Sequence, residues 1–274
     1  MVRRMTAEHA RRAASFGAAA QAYATHRPDY PAAAIAWALE SAVTLAAGQG
    51  RPVRLLDVGA GTGKLTSQLA GLRPGGLEVD LTAVEPDQEM LAELRRTLPQ
   101  VRATAGRAEA IPLPGGSVDA VLAGQAAHWF DLDLAIPEIA RVLAPGGVFA
   151  GLWNADDDRV GWVAGLHQVS GRANVISYST FAADEHDDVA SWMAGRGGEL
   201  FAPPEVAGFG HGQVRTAESL IKTMRTHSKF LIMEPDERER VFGAVAQYLA
   251  ATPQTASGEF TFPLWTMTLR AVRR

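Results

Sequence analysis

The chain predicts an α/β fold, a mostly parallel sheet with helices on both faces. Three observations carry that expectation. Short apolar runs alternate with helical stretches from about residue 53 to 153, the spacing of βαβ units. The first of those runs ends in a cluster of glycines, Gly59, Gly61 and Gly63, as a buried strand does when it turns tightly into a helix. Hydrophobic residues make up 47% of the 274 and charged residues 20%, which supports a substantial core and excludes wholesale disorder.

The elements follow in order. Residues 7–24 are alanine-rich and read as a helix that stops near Arg27-Pro28, because a residue before proline resists the helical region. A second helix over 32–47 starts behind Pro31 and ends at Gly48. Val53–Val58 is a buried strand and 64–72 a helix; Leu77–Glu85 alternates like a strand, and 87–98 is helical. Val101–Ala105, Val118–Ala123 and Gly147–Trp153 make three further strands, with a helix over 132–143 before the last of them. From 155 to 200 the pattern breaks into a segment rich in Gly, Ser, His and Asp, which reads as an insertion with short helices. Helices over 217–228 and 235–251 and a strand over Glu259–Ala271 complete the chain. The expected organisation is a helical cap over 1–48, a ligand-binding core over 49–154, a lid over 155–200, and a return to the core over 201–274.

Composition narrows the function classes. Lys plus Arg is 26 against 30 Asp plus Glu, a net charge of −4, which argues against a general nucleic-acid binder. Cysteine is absent, so there is no disulfide framework, thiolate nucleophile or zinc–thiolate site, which fits a cytoplasmic protein. No apolar run approaches the roughly 20 residues that cross a bilayer. Glu8, His9, Arg11, Arg12 and Gln21 interrupt the alanine-rich start, so it lacks a signal-peptide core. A soluble intracellular protein without a membrane partner is expected; the oligomeric state is left open.

Asp57-Val58-Gly59-Ala60-Gly61-Thr62-Gly63 lies where the first strand meets a helix. Glycines there permit positive φ and let a ligand touch bare backbone, while the N–H groups of the helix start favour negative charge. Dinucleotide sites use such a turn in the form G-x-G-x-x-G. Here the third glycine comes one residue early and Lys64 takes the dinucleotide position, which disfavours an NAD-type oxidoreductase. Glu85 ends the second strand, where a carboxylate can accept from both hydroxyls of a ribose. That geometry serves any adenosine cofactor.

Leu55–Gly63 followed by Thr82–Leu91 resembles motifs I and II of the class I S-adenosylmethionine-dependent methyltransferases. Gly106–Leu113, Ser117–Val121 and Leu143–Gly147 follow in the order and at the spacing of that family, so the resemblance covers about residues 53–153. Gln125–Phe130 further resembles the small-molecule subgroup that includes trans-aconitate methyltransferases, as do Phe16, Tyr23, Arg27-Pro28, Tyr30-Pro31 and Phe262–Thr266 with less specificity. The resemblance implies a Rossmann-like, seven-stranded sheet and S-adenosylmethionine as cofactor. It implies backbone contacts to the cofactor at Gly59, Ala60, Gly61 and Gly63, Asp57 holding its ammonium, and Glu85 holding its ribose. Pro86 and Met90 would flank the adenine, Ala108 and Glu109 would meet its edge, and Gln125 would border the sulfonium. Tyr23 and Arg27 would take the methionine carboxylate. The family often carries Asp where this chain has Arg107, and an arginine cannot accept a hydrogen bond.

The implied reaction moves a methyl group to a small molecule, at oxygen by the subgroup resemblance, with carbon or nitrogen as alternatives. A cofactor-binding regulatory protein without turnover is a further alternative. Methyl transfer requires the nucleophile within about 3–3.5 Å and in line with the departing sulfur, and such orientation supplies roughly 7–11 kcal/mol. His128 is the candidate general base, since its type titrates near neutral pH and it follows the fourth strand. Trp129, Trp153 and Asn154 are candidates to line the acceptor pocket. The run Asp184–Asp188 has metal-ligand residue types but reads as solvated loop, and no metal is expected.

Overall fold

The computed structural model describes residues 28–171, 185–225, 230 and 233–274. The expected helix over 7–24 therefore lies outside the described residues. The first described helix, α1 (Ala32–Gly48), buries Ala34, Ile35, Ala38, Leu39, Ala42 and Ala46, a stripe at helical spacing. The alternation predicted from sequence then appears: β1 (Val53–Val58), α2 (Lys64–Ala70), β2 (Val79–Glu85), α3 (Gln88–Thr97), β3 (Arg102–Ala105), β4 (Val118–Gly124), α4 (Leu132–Val142) and β5 (Leu143–Asp156). Asp87 caps α3 by accepting from the N–H groups of Glu89 and Met90, which fixes the turn after β2.

Beyond β5 come α5 (Gly161–Val169), α6 (Glu185–Ala194), β6 (Glu205–Arg215), α7 (Ala217–Arg225), α8 (Pro235–Ala251) and β7 (Phe260–Val272). The sheet has seven strands in the order β3-β2-β1-β4-β5-β7-β6. β3 through β5 are parallel, and β7 runs antiparallel to both β5 and β6. Strand order reverses between β1 and β4, so a crevice opens at their carboxyl ends, where α/β sheets of this type bind ligands.

The two faces are covered differently. Leu55, Leu81, Leu122, Val148 and Leu152 pack with α1 and with Leu65 and Leu69 of α2. On the other face Leu56, Val84, Val121 and Phe149 pack with Ile136 and Ile139 of α4 and with Val189 and Met193 of α6. A third cluster joins α5, α7 and α8 to Phe260, Phe262 and Leu264, over the end of the sheet that carries the crevice. Trp162 packs there edge-on to Phe260.

Among the described residues, β6 is the one strand absent from the sequence expectation. Its run Glu-Val-Ala-Gly-Phe-Gly-His-Gly-Gln-Val-Arg is poor in the usual strand formers. The glycines make room for the neighbouring strand's side chains. A Cβ at Gly208 would come within 2.0 Å of the Trp265 ring, and one at Gly212 within 2.3 Å of the Thr261 methyl.

An ion cluster fastens the end of the sheet opposite the crevice. Asp119, fully buried in β4, accepts from both terminal nitrogens of Arg51 and from the backbone and side chain of Arg54. Burial alone raises its carboxyl, but the hydrogen bonds from Arg51 and Arg54 outweigh it and hold the pKa at about 2. That lies below the roughly 3.9 of an unfolded aspartate. The group therefore contributes fully above about pH 4 and loses its contribution, about 2 kcal/mol, as pH falls towards 2. Acid unfolding followed by circular dichroism should show this loss in the wild type. Asp119→Asn should lack it and be less stable at neutral pH by about 1–3 kcal/mol.

Candidate active site

The crevice is built from three strand ends. β1 delivers Asp57, β2 delivers Glu85, and β4 delivers Gln125 one residue past its last. Register places Asp57 opposite Ala83 of β2 and Leu122 of β4, so the first acid sits at the centre of the sheet. Between the two acids runs the glycine turn, with Gly59, Gly61 and Gly63 at φ of 68°, 58° and 90°. A Cβ on Gly59 would lie 2.7 Å from the Ala126 methyl group, so this position tolerates no side chain.

Glu85 is buried and holds the turn. One carboxylate oxygen accepts from the Gly61 N–H at 2.7 Å and the other from the Asp87 N–H at 2.8 Å. Each oxygen keeps a lone pair for a further donor. Burial nonetheless raises its pKa, against those two hydrogen bonds. Asp57 is 1% exposed. Its Oδ2 accepts from Thr66 Oγ1 at 2.6 Å, while Oδ1 is buried with no hydrogen-bond partner. Burial pushes its pKa up to about 7, with the nearby Glu85 adding to the rise and Thr66 opposing it. Thr62, within the turn, likewise has a buried hydroxyl with no partner. Buried polar atoms normally have partners, so these two ask for a ligand that donates to a carboxylate and meets a hydroxyl.

Sequence alone does not single out Thr62 and Thr66. The position of Thr62 between two glycines was its only signal, and Thr66 is tied to Asp57 by folding of the turn onto α2.

Ala60 is buried against Ala83 and Leu94. Met90 and Ala108 are buried and Pro86 is exposed, all beyond the end of β2 or β3. Glu109 accepts from the Asp131 N–H at 3.0 Å and pairs with Arg107 at 3.3 Å, so both its oxygens already hold donors. Gln125 has φ of 54°, the one positive value at a non-glycine residue among those described. Such a backbone costs about 1–3 kcal/mol and concentrates at functional sites. Its amide donates to the Asn154 carbonyl and its N–H to the Leu152 carbonyl, both at 2.8 Å.

His128 and Trp129 occupy a short 3-10 turn, Ala127–Trp129, directly after Gln125 and Ala126. Their rings lie 4.9 Å apart. Trp153 is fully buried, and its indole N–H donates to His128 Nδ1 at 3.3 Å. Asn154 donates to the carbonyls of Pro28 and Asp29 and accepts from Thr266, tying the chain before α1 to β5 and β7. Lys64 pairs with Asp29 at 2.7 Å and reinforces that tie. Tyr23 and Arg27 lie outside the described residues. Among the described residues no group of three metal-ligating side chains occurs, and no helix is long and apolar enough to cross a membrane.

Known proteins share this framework. A family model described as a methyltransferase domain matches residues 56–151. An uncharacterized methyltransferase of Mycobacterium tuberculosis is 51% identical over 158 residues, 58% of this chain and 59% of that one. The match thus spans less than two thirds of the mycobacterial relative. An uncharacterized methyltransferase-like protein of Schizosaccharomyces pombe is 31% identical over 242 residues, 85% of this chain and 84% of its own. Among solved structures, a provisionally assigned type II methyltransferase from Anaeromyxobacter dehalogenans superposes with a TM-score of 0.62 at 26% identity, covering 90% of this chain and 97% of that one. With two buried acids at adjacent strand ends, a bare glycine turn between them and these relatives, the chain belongs to the class I S-adenosylmethionine-dependent methyltransferases.

Proposed function

We propose that the chain transfers a methyl group from S-adenosylmethionine to an oxygen of a small-molecule acceptor. The observation that carries the reading is the pairing of Asp57, with its orphaned buried Oδ1, and Glu85 across the glycine turn. Asp57 suits the cofactor's ammonium, a donor that satisfies Oδ1 and offsets the cost of a buried carboxylate. Glu85 suits the two ribose hydroxyls through the lone pairs that Gly61 and Asp87 leave open. The backbone of Gly59, Ala60, Gly61 and Gly63 borders the rest of the chain of the cofactor. Pro86 and Met90 are assigned to the adenine faces and Ala108 with Glu109 to its edge, while Tyr23 and Arg27 are assigned to the methionine carboxylate.

When bound, the cofactor supplies a methyl group on a cationic sulfur, an electrophile that needs no activation by the protein. The chain's residues orient and exclude water. Gln125, held in one conformation by its strained backbone and two hydrogen bonds, borders the sulfonium. The acceptor is assigned to the space beyond the carboxyl ends of β4 and β5, beside His128, Trp129 and Asn154, with Trp153 behind His128. An oxygen acceptor is supported by the resemblance of Gln125–Phe130 to the trans-aconitate methyltransferases.

Incubation with methyl-labelled cofactor and a metabolite extract should place label in a small organic molecule, as an ester or ether. Label on carbon or nitrogen would overturn the oxygen assignment, and no labelled product would overturn turnover itself. In parallel, S-adenosylhomocysteine at about 100 times its Kd should stabilise the fold by about 2.7 kcal/mol, and NAD should not.

A further inference from the structure

We infer that Trp153 is a positioning residue that fixes His128 with its imidazole proton on Nε2, making His128 a hydrogen-bond donor instead of a general base. An indole N–H only donates. It donates to His128 Nδ1 at 3.3 Å, so that nitrogen presents its lone pair to Trp153. A neutral imidazole has one N–H, which is then on Nε2.

The arrangement has little freedom to reverse. Trp153 has no exposed surface and lies within the core cluster that includes Phe149, Met193 and Phe201. Its backbone is paired with Met267 of β7, and its ring lies over Gly151, where a Cβ would come within 2.3 Å of it. Gly151 is therefore the feature that lets the indole lie along the strand towards His128. On the other partner, the turn carrying His128 is seated by the fully buried Ala127 and by the Trp129 N–H donating to the Ala126 carbonyl at 2.9 Å. The Trp129 ring, tilted 43° at 4.9 Å, further confines the imidazole.

The consequence for chemistry rests on the proposed function, because it takes His128 to border the acceptor. A base must offer a lone pair to the acceptor's proton. In this tautomer the Nδ1 lone pair is turned to a buried indole, and Nε2 already carries hydrogen. His128 can orient an acceptor oxygen by donating to it. In the transfer, an oxygen lone pair forms the new O–CH3 bond while the S–CH3 pair returns to sulfur. A carboxylate acceptor carries no proton, so carboxylate and sulfonium give ester and neutral thioether with nothing left to remove; a hydroxyl acceptor would give its proton to water and not to His128.

The test is two-bond proton–nitrogen correlation NMR on the full chain labelled with 15N-histidine, near neutral pH, with and without S-adenosylhomocysteine. The His128 signals are identified by their absence from His128→Gln. The wild type should show an unprotonated Nδ1 and a protonated Nε2 in both states. Trp153→Phe, which keeps a ring and removes the N–H, should shift His128 to a mixture of tautomers. A wild-type His128 protonated on Nδ1 overturns the inference whether or not the variant folds, and an unchanged pattern in a folded Trp153→Phe overturns the part assigned to Trp153. Failure of S-adenosylhomocysteine to bind would count against the proposed function alone, since the ligand-free spectrum reports the tautomer directly.

Discussion

Replacing Glu85 with alanine is expected to weaken S-adenosylhomocysteine binding at least tenfold, and about a hundredfold if both ribose hydroxyls are lost. Each hydrogen bond to a charged group is worth roughly 1.5–3 kcal/mol. Two such bonds removed from a buried site exceed the about 1.4 kcal/mol that separates a factor of ten. The same substitution frees the N–H groups of Gly61 and Asp87, so the glycine turn also loses its anchor. The ligand-free fold should change far less. Loss of two backbone hydrogen bonds is opposed by removal of a carboxylate whose burial holds its pKa above the usual range. Calorimetric titration gives the affinity and thermal melting without ligand gives the stability. Unchanged affinity would place the ribose elsewhere.

Asp57→Asn should separate binding from stability in the opposite sense. In the ligand-free protein the Asp57 carboxyl titrates at about 7, some three units above an unfolded aspartate. A raised carboxylate pKa means that stability is lost as pH rises from about 4 to 7 and stays low above that. The loss amounts to up to about 4 kcal/mol. Asparagine carries no such charge and keeps an oxygen for Thr66, at a cost of about 1–3 kcal/mol for its buried N–H groups. The variant is therefore expected to melt higher than the wild type at about pH 8 without ligand, by the equivalent of roughly 1–3 kcal/mol. It should also bind S-adenosylhomocysteine tenfold or more weakly, for want of a charge opposite the ammonium. Because that ammonium draws the pKa down, binding by the wild type near pH 7 should release a proton, visible as a binding enthalpy that depends on the buffer. Asp57→Asn should lose that dependence. Equal melting temperatures and equal proton release in the two proteins would show that Asp57 is not the strained group it is taken to be.

Much of the fold is legible in the sequence because β1, β2, β4 and β5 are buried over most of their length and read as short apolar runs between helical stretches, while β3, at the sheet edge, has no buried residue and is legible only from its place in the alternation. β6 is not, since the glycines that admit Trp265 and Thr261 give it the composition of a loop. That accommodation exists only once β7 lies beside it. The two acids are legible from position alone, Asp57 before the glycines and Glu85 at the end of the next strand. The pairing of Glu109 with Arg107 and the Asp131 N–H is less so, because Asp131 lies 22 residues away and meets Glu109 only through the path from β4 into α4. The same holds for Asn154, whose partners Pro28, Asp29 and Thr266 come from both ends of the chain. Met193 falls in the segment that reads from sequence as a lid, and it is fully buried in the same main core cluster as Trp153.

The measurement that bears most directly on the whole proposal is a crystal structure of the full chain grown with S-adenosylhomocysteine. The ribose hydroxyls should lie within hydrogen-bond distance of the Glu85 carboxylate, and the amino group should meet Asp57 Oδ1 directly or through one water. A ligand bound away from the carboxyl ends of β1 and β2, or a crevice there filled by the chain's own side chains, would contradict it.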